Sequence, residues 1–96
     1  MPGYVMGVVN GVKDGPAFEA YQHVVEPTIG QYGGKRVFFS GEVTPLDGGW
    51  APLGLILFEF ESADPAKKWY NSPEYQAVVN QRINSTDSAV TLFVAE

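Results

Sequence analysis

Three stretches of this chain are apolar at both odd and even positions, and that limits the possible folds more than any other feature. Tyr4, Met6 and Val8 alternate with Val5 and Val9; Leu55 and Leu57 alternate with Ile56, Phe58 and Phe60; Val90, Leu92 and Val94 alternate with Phe93 and Ala95. Successive side chains of a strand point to opposite faces, and an antiparallel sheet wetted on one face alternates apolar with polar. Strands of this kind therefore need cover on both faces.

Two helical regions are available to cover them. Asp14 is placed to cap a helix starting near Pro16, in which Phe18, Tyr21, Val25, Ile29 and Tyr32 recur at three- and four-residue spacing. Pro27 is expected to kink this helix or split it after Glu26, and the glycines of "YGGK" to stop it. The second region reads as two short pieces in tandem. "SADPAKKWYN" offers a cap followed by Pro65 at the first helical position, and "SPEYQAVVNQRI" repeats the device with Ser72, Pro73 and Glu74.

Around these regions, "YVMGVVNGV" reads as the first strand, "KRVFFSGEV" and "LGLILFEF" as a hairpin across the loop "TPLDGGWAPL", and "SAVTLFVAE" as the last strand. The order β-α-β-β-α-β predicts an α+β, ferredoxin-like sandwich, a single domain over residues 1–96 with a four-stranded antiparallel sheet. Its helices can cover one face. The other would expose an apolar patch on the order of several hundred Å², so a homodimer through the bare sheet face is expected. A chain of 96 residues also gains from association, because at this size folding buries only roughly 60 to 65% of the unfolded surface.

Charge and composition exclude several function classes. Six Lys plus Arg against eleven Asp plus Glu give a net charge of −5, with no basic stripe for a phosphate backbone, so nucleic acid is not an expected partner. The chain has no cysteine, one histidine and no carboxylate cluster at ligand spacing, so neither a disulfide, a Cys nucleophile nor a bound metal is expected. No apolar run approaches the ~20 residues that span a bilayer, and the N-terminus lacks the pattern of a secretory leader. A cytoplasmic protein without a membrane partner is expected.

With this strand order in place, "YGGK", the Gly41 region, "FEF" at Phe58 to Phe60 and "WYNSPEYQ" at Trp69 to Gln76 carry a resemblance along nearly the whole chain. The chain resembles a family of short, functionally uncharacterised bacterial proteins in the dimeric α+β barrel superfamily. The resemblance implies the barrel fold and dimerisation, with no catalytic motif to carry over. Superfamily relatives include cofactor-free monooxygenases, lactone isomerases, cyclases and haem-handling proteins, which is analogy at the level of fold.

The residues themselves mark candidates for chemistry. Tyr75, Val78, Val79 and Arg82 fall on one stripe of the helix after Pro73, so Arg82 is expected to face inward. It would either bind a carboxylate or enolate, or form a structural ion pair. Glu59 continues the row of Leu55 and Leu57 and is the expected partner, as a general base beside a cleft or as a structural anion. Tyr21, Tyr70 and Tyr75 are expected to converge where helices meet sheet, as ligand-positioning phenols or as core rings. Trp50 in "DGGWAP" would be a lid or a ring buried at the dimer contact.

His23 lies off the apolar stripe and reads as solvated, with a general base or haem ligand as the alternative. Asn71 and Ser72 read as a helix stop and a cap. Together these residues predict a helix-to-sheet cleft in which Glu59, Arg82 and Tyr21 act on a small, partly apolar acid, lactone or ketone. Tyr70, Tyr75, Trp50 and His23 would line it, and no metal or organic cofactor is expected. The rival reading is a ligand-binding or structural homodimer module in which Glu59 and Arg82 pair.

Overall fold

In the computed structural model, which describes residues 1–86 and 90–96, the expected order is present. It runs β1 (Gly3–Val9), α1 (Gly15–Gln31), β2 (Lys35–Ser40), β3 (Gly54–Phe60), α2 (Ala63–Tyr70), α3 (Pro73–Gln76), α4 (Val79–Ser85) and β4 (Val90–Ala95). The strands form one antiparallel sheet in the order β2-β3-β1-β4, which is the ferredoxin-like α+β arrangement. Ser88 and Ala89, expected at the start of the last strand, lie outside the described residues, as does the side chain of Val90. Among the described residues no helix is long and apolar enough to cross a membrane.

The alternation in the strands sorts the sheet into two faces. Val5 and Val9 of β1 and Ile56, Phe58 and Phe60 of β3 are buried in one cluster with Phe18, Tyr21, Val25, Ile29, Trp69 and Tyr75 from the helices. Tyr4, Met6, Val8, Leu55, Leu57 and Glu59 point to the other side, where burial is only partial or lost. Register carries the rows outward: Phe38 lies opposite Leu57, and Phe93 opposite Met6. The face away from the helices thus has an apolar centre drawn from all four strands, with Glu59 and Lys35 opposite each other towards one end. Edge strand β2 is exposed from Lys35 to Phe39, with a register shift between Arg36 and Phe38.

The course of α1 and the stretch after Pro73 differ from the sequence expectation, and each difference has a local cause. α1 continues through Pro27 without splitting. The carbonyl that Pro27 leaves unpaired belongs to His23, and both residues are exposed, so water can take the bond the helix lacks. The stretch after Pro73 is two helices instead of one. Val78 N–H donates to the Tyr75 carbonyl (2.9 Å) and Gln81 N–H to that of Val78 (3.0 Å), and these tighter i to i−3 bonds interrupt the α ladder.

Caps behave mostly as read. Asp14 Oδ1 accepts from Ala17 N–H at 3.1 Å, and Ser72 Oγ accepts from Tyr75 N–H at 3.1 Å while donating to the Trp69 carbonyl at 2.6 Å. Asn71 stops α2, its Nδ2 donating to the Lys67 carbonyl at 3.0 Å. Ser62 makes no side-chain cap bond, and Pro65 is the third residue of α2, not the first. The acceptor comes instead from Glu96, whose Oε2 takes the Ala63 N–H at 2.9 Å.

The end of α1 ties this frame to the helical corner. Gly33 has φ +80°, and Gly34 N–H donates to the Ile29 carbonyl at 3.0 Å, closing the helix with a left-handed residue. A Cβ on Gly34 would come within 2.6 Å of both Ile29 and Phe60, so only glycine lets β2 start this close to the core. The preceding Tyr32 donates its hydroxyl to Glu74 Oε1 at 3.0 Å. "YGGK", "FEF" and the Pro73–Tyr75 corner therefore meet at one junction between α1, β3 and α3.

Candidate functional site

Helix α1 presents Tyr21 and Thr28 inward, seven residues apart, and each fixes a ring of the helical corner. Thr28 Oγ1 donates to the Val25 carbonyl (2.6 Å) and accepts from the Trp69 indole Nε1–H (2.9 Å), holding a ring that is 1% exposed. The Tyr21 hydroxyl lies 3.0 Å from that of Tyr75, and both side chains are buried. Arg82 Nη1, reaching from α4, donates to the Tyr75 hydroxyl at 3.1 Å. Phenol, phenol and guanidinium thus form one chain drawn from three helices.

The protons of this chain can be counted. Two phenols carry two protons, and the bond between them uses one. Arg82, always a donor, occupies a lone pair of Tyr75 and accepts nothing. One phenolic proton therefore has no acceptor among the described residues. Burial, with the neighbouring phenol adding to it, pushes the Tyr21 hydroxyl far up from its ordinary range. Desolvation likewise raises Tyr75, against the opposing pull of Tyr21 and Arg82. Both groups stay protonated at neutral pH, one proton lying in the bond between them.

Two cavities adjoin the chain. The larger, of about 230 Å³, opens between the end of α2, Arg82 and strands β1 and β4. Lys67, Tyr70, Asn71 and Arg82 are its polar walls; Val5, Ala66, Leu92, Phe93 and Val94 are apolar, and Trp69 forms part of the wall. The smaller, of about 30 Å³, lies under α1 beside Tyr21, Phe18, Val25 and Phe58. Trp69, Arg82 and Leu92 border both cavities. Tyr70 is half-exposed at the margin, its ring 6.3 Å from that of Trp69 and 5.4 Å from that of Tyr75.

Of the residues singled out by sequence, Tyr21, Tyr75 and Arg82 are brought together, with Tyr70 beside them. Glu59 is not. It occupies the sheet face away from the helices, opposite Tyr4 on β1 and Lys35 on β2, at the edge of a shallow recess that also includes Met1 and Glu61. The expected pair of Glu59 with Arg82 does not form: the ion pair among the described residues joins Arg36 to Glu26 at 3.5 Å. Glu59 does share the row of Leu55 and Leu57, as strand alternation predicts, but that row is the one the helices do not cover.

Trp50 stands 61% exposed in the loop after β2, and His23 is exposed on α1; neither borders the 230 Å³ cavity. Sequence reasoning passed over Lys67 and the role of Asn71 as cavity wall. Their signal was the spacing of Lys67, Tyr70 and Asn71 at i, i+3 and i+4, which places all three on one side of α2. Thr28 also escaped notice, although it sits one turn pair beyond Tyr21 on the buried stripe. Among the described residues no group of three or more His, Asp or Glu side chains is arranged to hold a metal ion.

Comparison with solved structures places this geometry in a known fold. A protein of unknown function from Rhodopseudomonas palustris superposes with a TM-score of 0.78 at 18% identity, over 98% of this chain and 80% of that one. A candidate antibiotic biosynthesis monooxygenase from Caulobacter crescentus gives 0.64 at 12% identity, over 98% and 86%. A dimeric protein of unknown function with a ferredoxin-like fold, from Bacteroides fragilis, gives 0.55 at 13%, over 99% and 95%. At these identities the likeness is one of fold. Among curated proteins none matches. The family described as a domain of unknown function, DUF1330, matches residues 2–95, and the chain belongs to that family.

Proposed function

We propose that the chain is a small-molecule-binding protein whose ligand enters the 230 Å³ cavity and presents an oxygen atom to Arg82, which the buried phenol pair holds from behind. The observation that carries this reading is Arg82, which borders the cavity and is anchored through the Tyr75 hydroxyl at 3.1 Å to that of Tyr21 at 3.0 Å. Donors held in place beside a partly apolar cavity suit a small organic acid, lactone or ketone. Chemistry on such a ligand would be proton transfer at carbon, as in an isomerase, a cyclase or a cofactor-free monooxygenase. Arg82, held by the neutral phenols, would then stabilise developing negative charge. Fold likeness to a candidate monooxygenase supports this only by analogy.

A second reading, binding without catalysis, is favoured by one specific observation. No described residue lining the larger cavity is a carboxylate, and Glu59, the expected base, lies on the opposite face. Both readings share a homodimer formed through the apolar sheet face of Met6, Leu55, Leu57, Phe38 and Phe93, the simplest cover for that surface. A dimeric solved relative in fold is consistent with it.

The test is a nuclear magnetic resonance screen against small acids, lactones and ketones. Ligands are expected to shift the Trp69 indole and the Lys67, Asn71 and Arg82 signals. Arg82→Met should weaken binding, and Glu59→Gln should leave it unchanged. Shifts confined to the Glu59 face would overturn the site assignment. Solvent deuterium entering the carbon next to the ligand's carbonyl would select the enzyme over the binding module.

A further inference from the structure

The 230 Å³ cavity is bordered by two cations from different helices, Lys67 near the end of α2 and Arg82 in α4, and by no described carboxylate. This imbalance is local, since the chain as a whole carries a net charge of −5. The long-range field therefore repels anions, and an anionic ligand would have to be selected by groups in direct contact. Arg82 is half-buried, and its partner among the described residues is the hydroxyl of Tyr75, which is neutral. A guanidinium offers five donors, so most of its fork remains available for a planar acceptor. Asn71 gives one N–H to the Lys67 carbonyl and keeps its other N–H and its oxygen.

The opposite wall limits the rest of the ligand. Val5, Leu92 and Val94 form an apolar floor, and the Trp69 ring is held rigid by Thr28. An apolar cavity of roughly 150 Å³ accepts one benzene ring. A cleft of about 230 Å³ therefore has room for a ring of that size with a short link and a charged head.

Resting on the ligand-binding reading above, we propose that the cavity selects a monocarboxylate with one aryl-sized apolar body, its carboxylate gripped by Arg82 and Lys67. This narrows the class: the neutral lactones and ketones drop out, because they would leave both cations without a counter-charge. Charge-assisted bonds to a carboxylate are about twice as strong as those between neutral groups.

The experiment compares phenylacetate, phenylacetamide and phenylacetone by calorimetry and by the Trp69 indole resonance. Phenylacetate is expected to bind at least about tenfold more tightly than either neutral analogue, a margin that salt erodes. Arg82→Met should bring phenylacetate down to the amide's affinity, and Arg82→Lys should restore part of it. Lys67→Met, at an exposed position that tolerates change, should cost a smaller factor and provides the test if the Arg82→Met chain does not fold. Equal binding of acid, amide and ketone at the Trp69 site would overturn the anion proposal and leave the binding reading standing. If none of the three moves the Trp69 resonance while the protein is folded, the aryl monocarboxylate proposal is overturned, and the binding reading falls only if the wider screen of acids, lactones and ketones is also silent there.

Discussion

Arg82 Nη1 donates to the Tyr75 hydroxyl at 3.1 Å, although a helix break at Ala77 and Val78 separates the two residues. The same hydroxyl meets that of Tyr21 at 3.0 Å. Tyr75 is therefore the shared member of the chain, and its ring is fully buried against Trp69, centroids 4.4 Å apart.

Removing the shared member should cost more than removing an end. Tyr75→Phe leaves both the Tyr21 hydroxyl and the Arg82 donor without their partner, for an expected loss of about 1 to 3 kcal/mol in denaturant unfolding. Tyr21→Phe leaves Tyr75 still bonded to Arg82 and should cost less, on the order of 0.5 to 1.5 kcal/mol. No loss in either variant would show that the chain contributes nothing to the fold, and equal losses would show that Tyr75 is not its energetic centre.

The phenols also set a pH dependence at the alkaline end. In the folded protein Tyr21 and Tyr75 are both raised above 10.0, the ordinary value the unfolded chain keeps. Below that pH both states hold these protons, and the phenols' contribution to stability is fully present and independent of pH. Above it the unfolded state releases them first, so stability falls as pH rises. Urea midpoints measured from neutral to strongly alkaline pH should show this decline, and Tyr21→Phe should flatten part of it. Ultraviolet titration should show these two phenols ionising only as the fold opens.

Thr28 offers a cleaner structural test, because valine copies its shape. Thr28→Val deprives the buried Trp69 indole N–H of its acceptor and should destabilise by about 1 to 3 kcal/mol, with Thr28→Ser recovering most of it. A change in intrinsic fluorescence should accompany the loss. An unaltered melting temperature for Thr28→Val would mean the indole finds another acceptor.

The open sheet face makes a prediction about association. Leu57 lies between Met6 and Phe38 in the register of three strands, at the centre of that face. Leu57→Lys should weaken dimerisation at least about 100-fold by burying an unpaired charge, while leaving the helix-covered core intact. Sedimentation of the two proteins at matched concentration checks it. A wild type that sediments as a monomer at high concentration would remove the basis for the dimer.

Much of this was legible in the sequence because it depends on local preferences. The caps at Asp14 and Ser72, the stop at Gly33 and the alternation in β1 and β3 follow from backbone geometry within a few residues. The convergence of Tyr21, Tyr75 and Arg82 was partly legible from helical spacing. The break after Gln76 was not, since it depends on which carbonyls the next turn reaches.

Glu59 shows where local reading ends. Strand alternation by itself determined that Glu59 shares a row with Leu55 and Leu57, and the structure agrees. It could not say which row the helices cover, because both rows are apolar and a strand's own geometry is indifferent to which side is packed. Tertiary structure decided it by laying α1 and the helical corner over Ile56, Phe58 and Phe60. That choice put Arg82 with the phenols and left Glu59 on the face the helices do not cover, because a side chain's partners are set by what packs over its row.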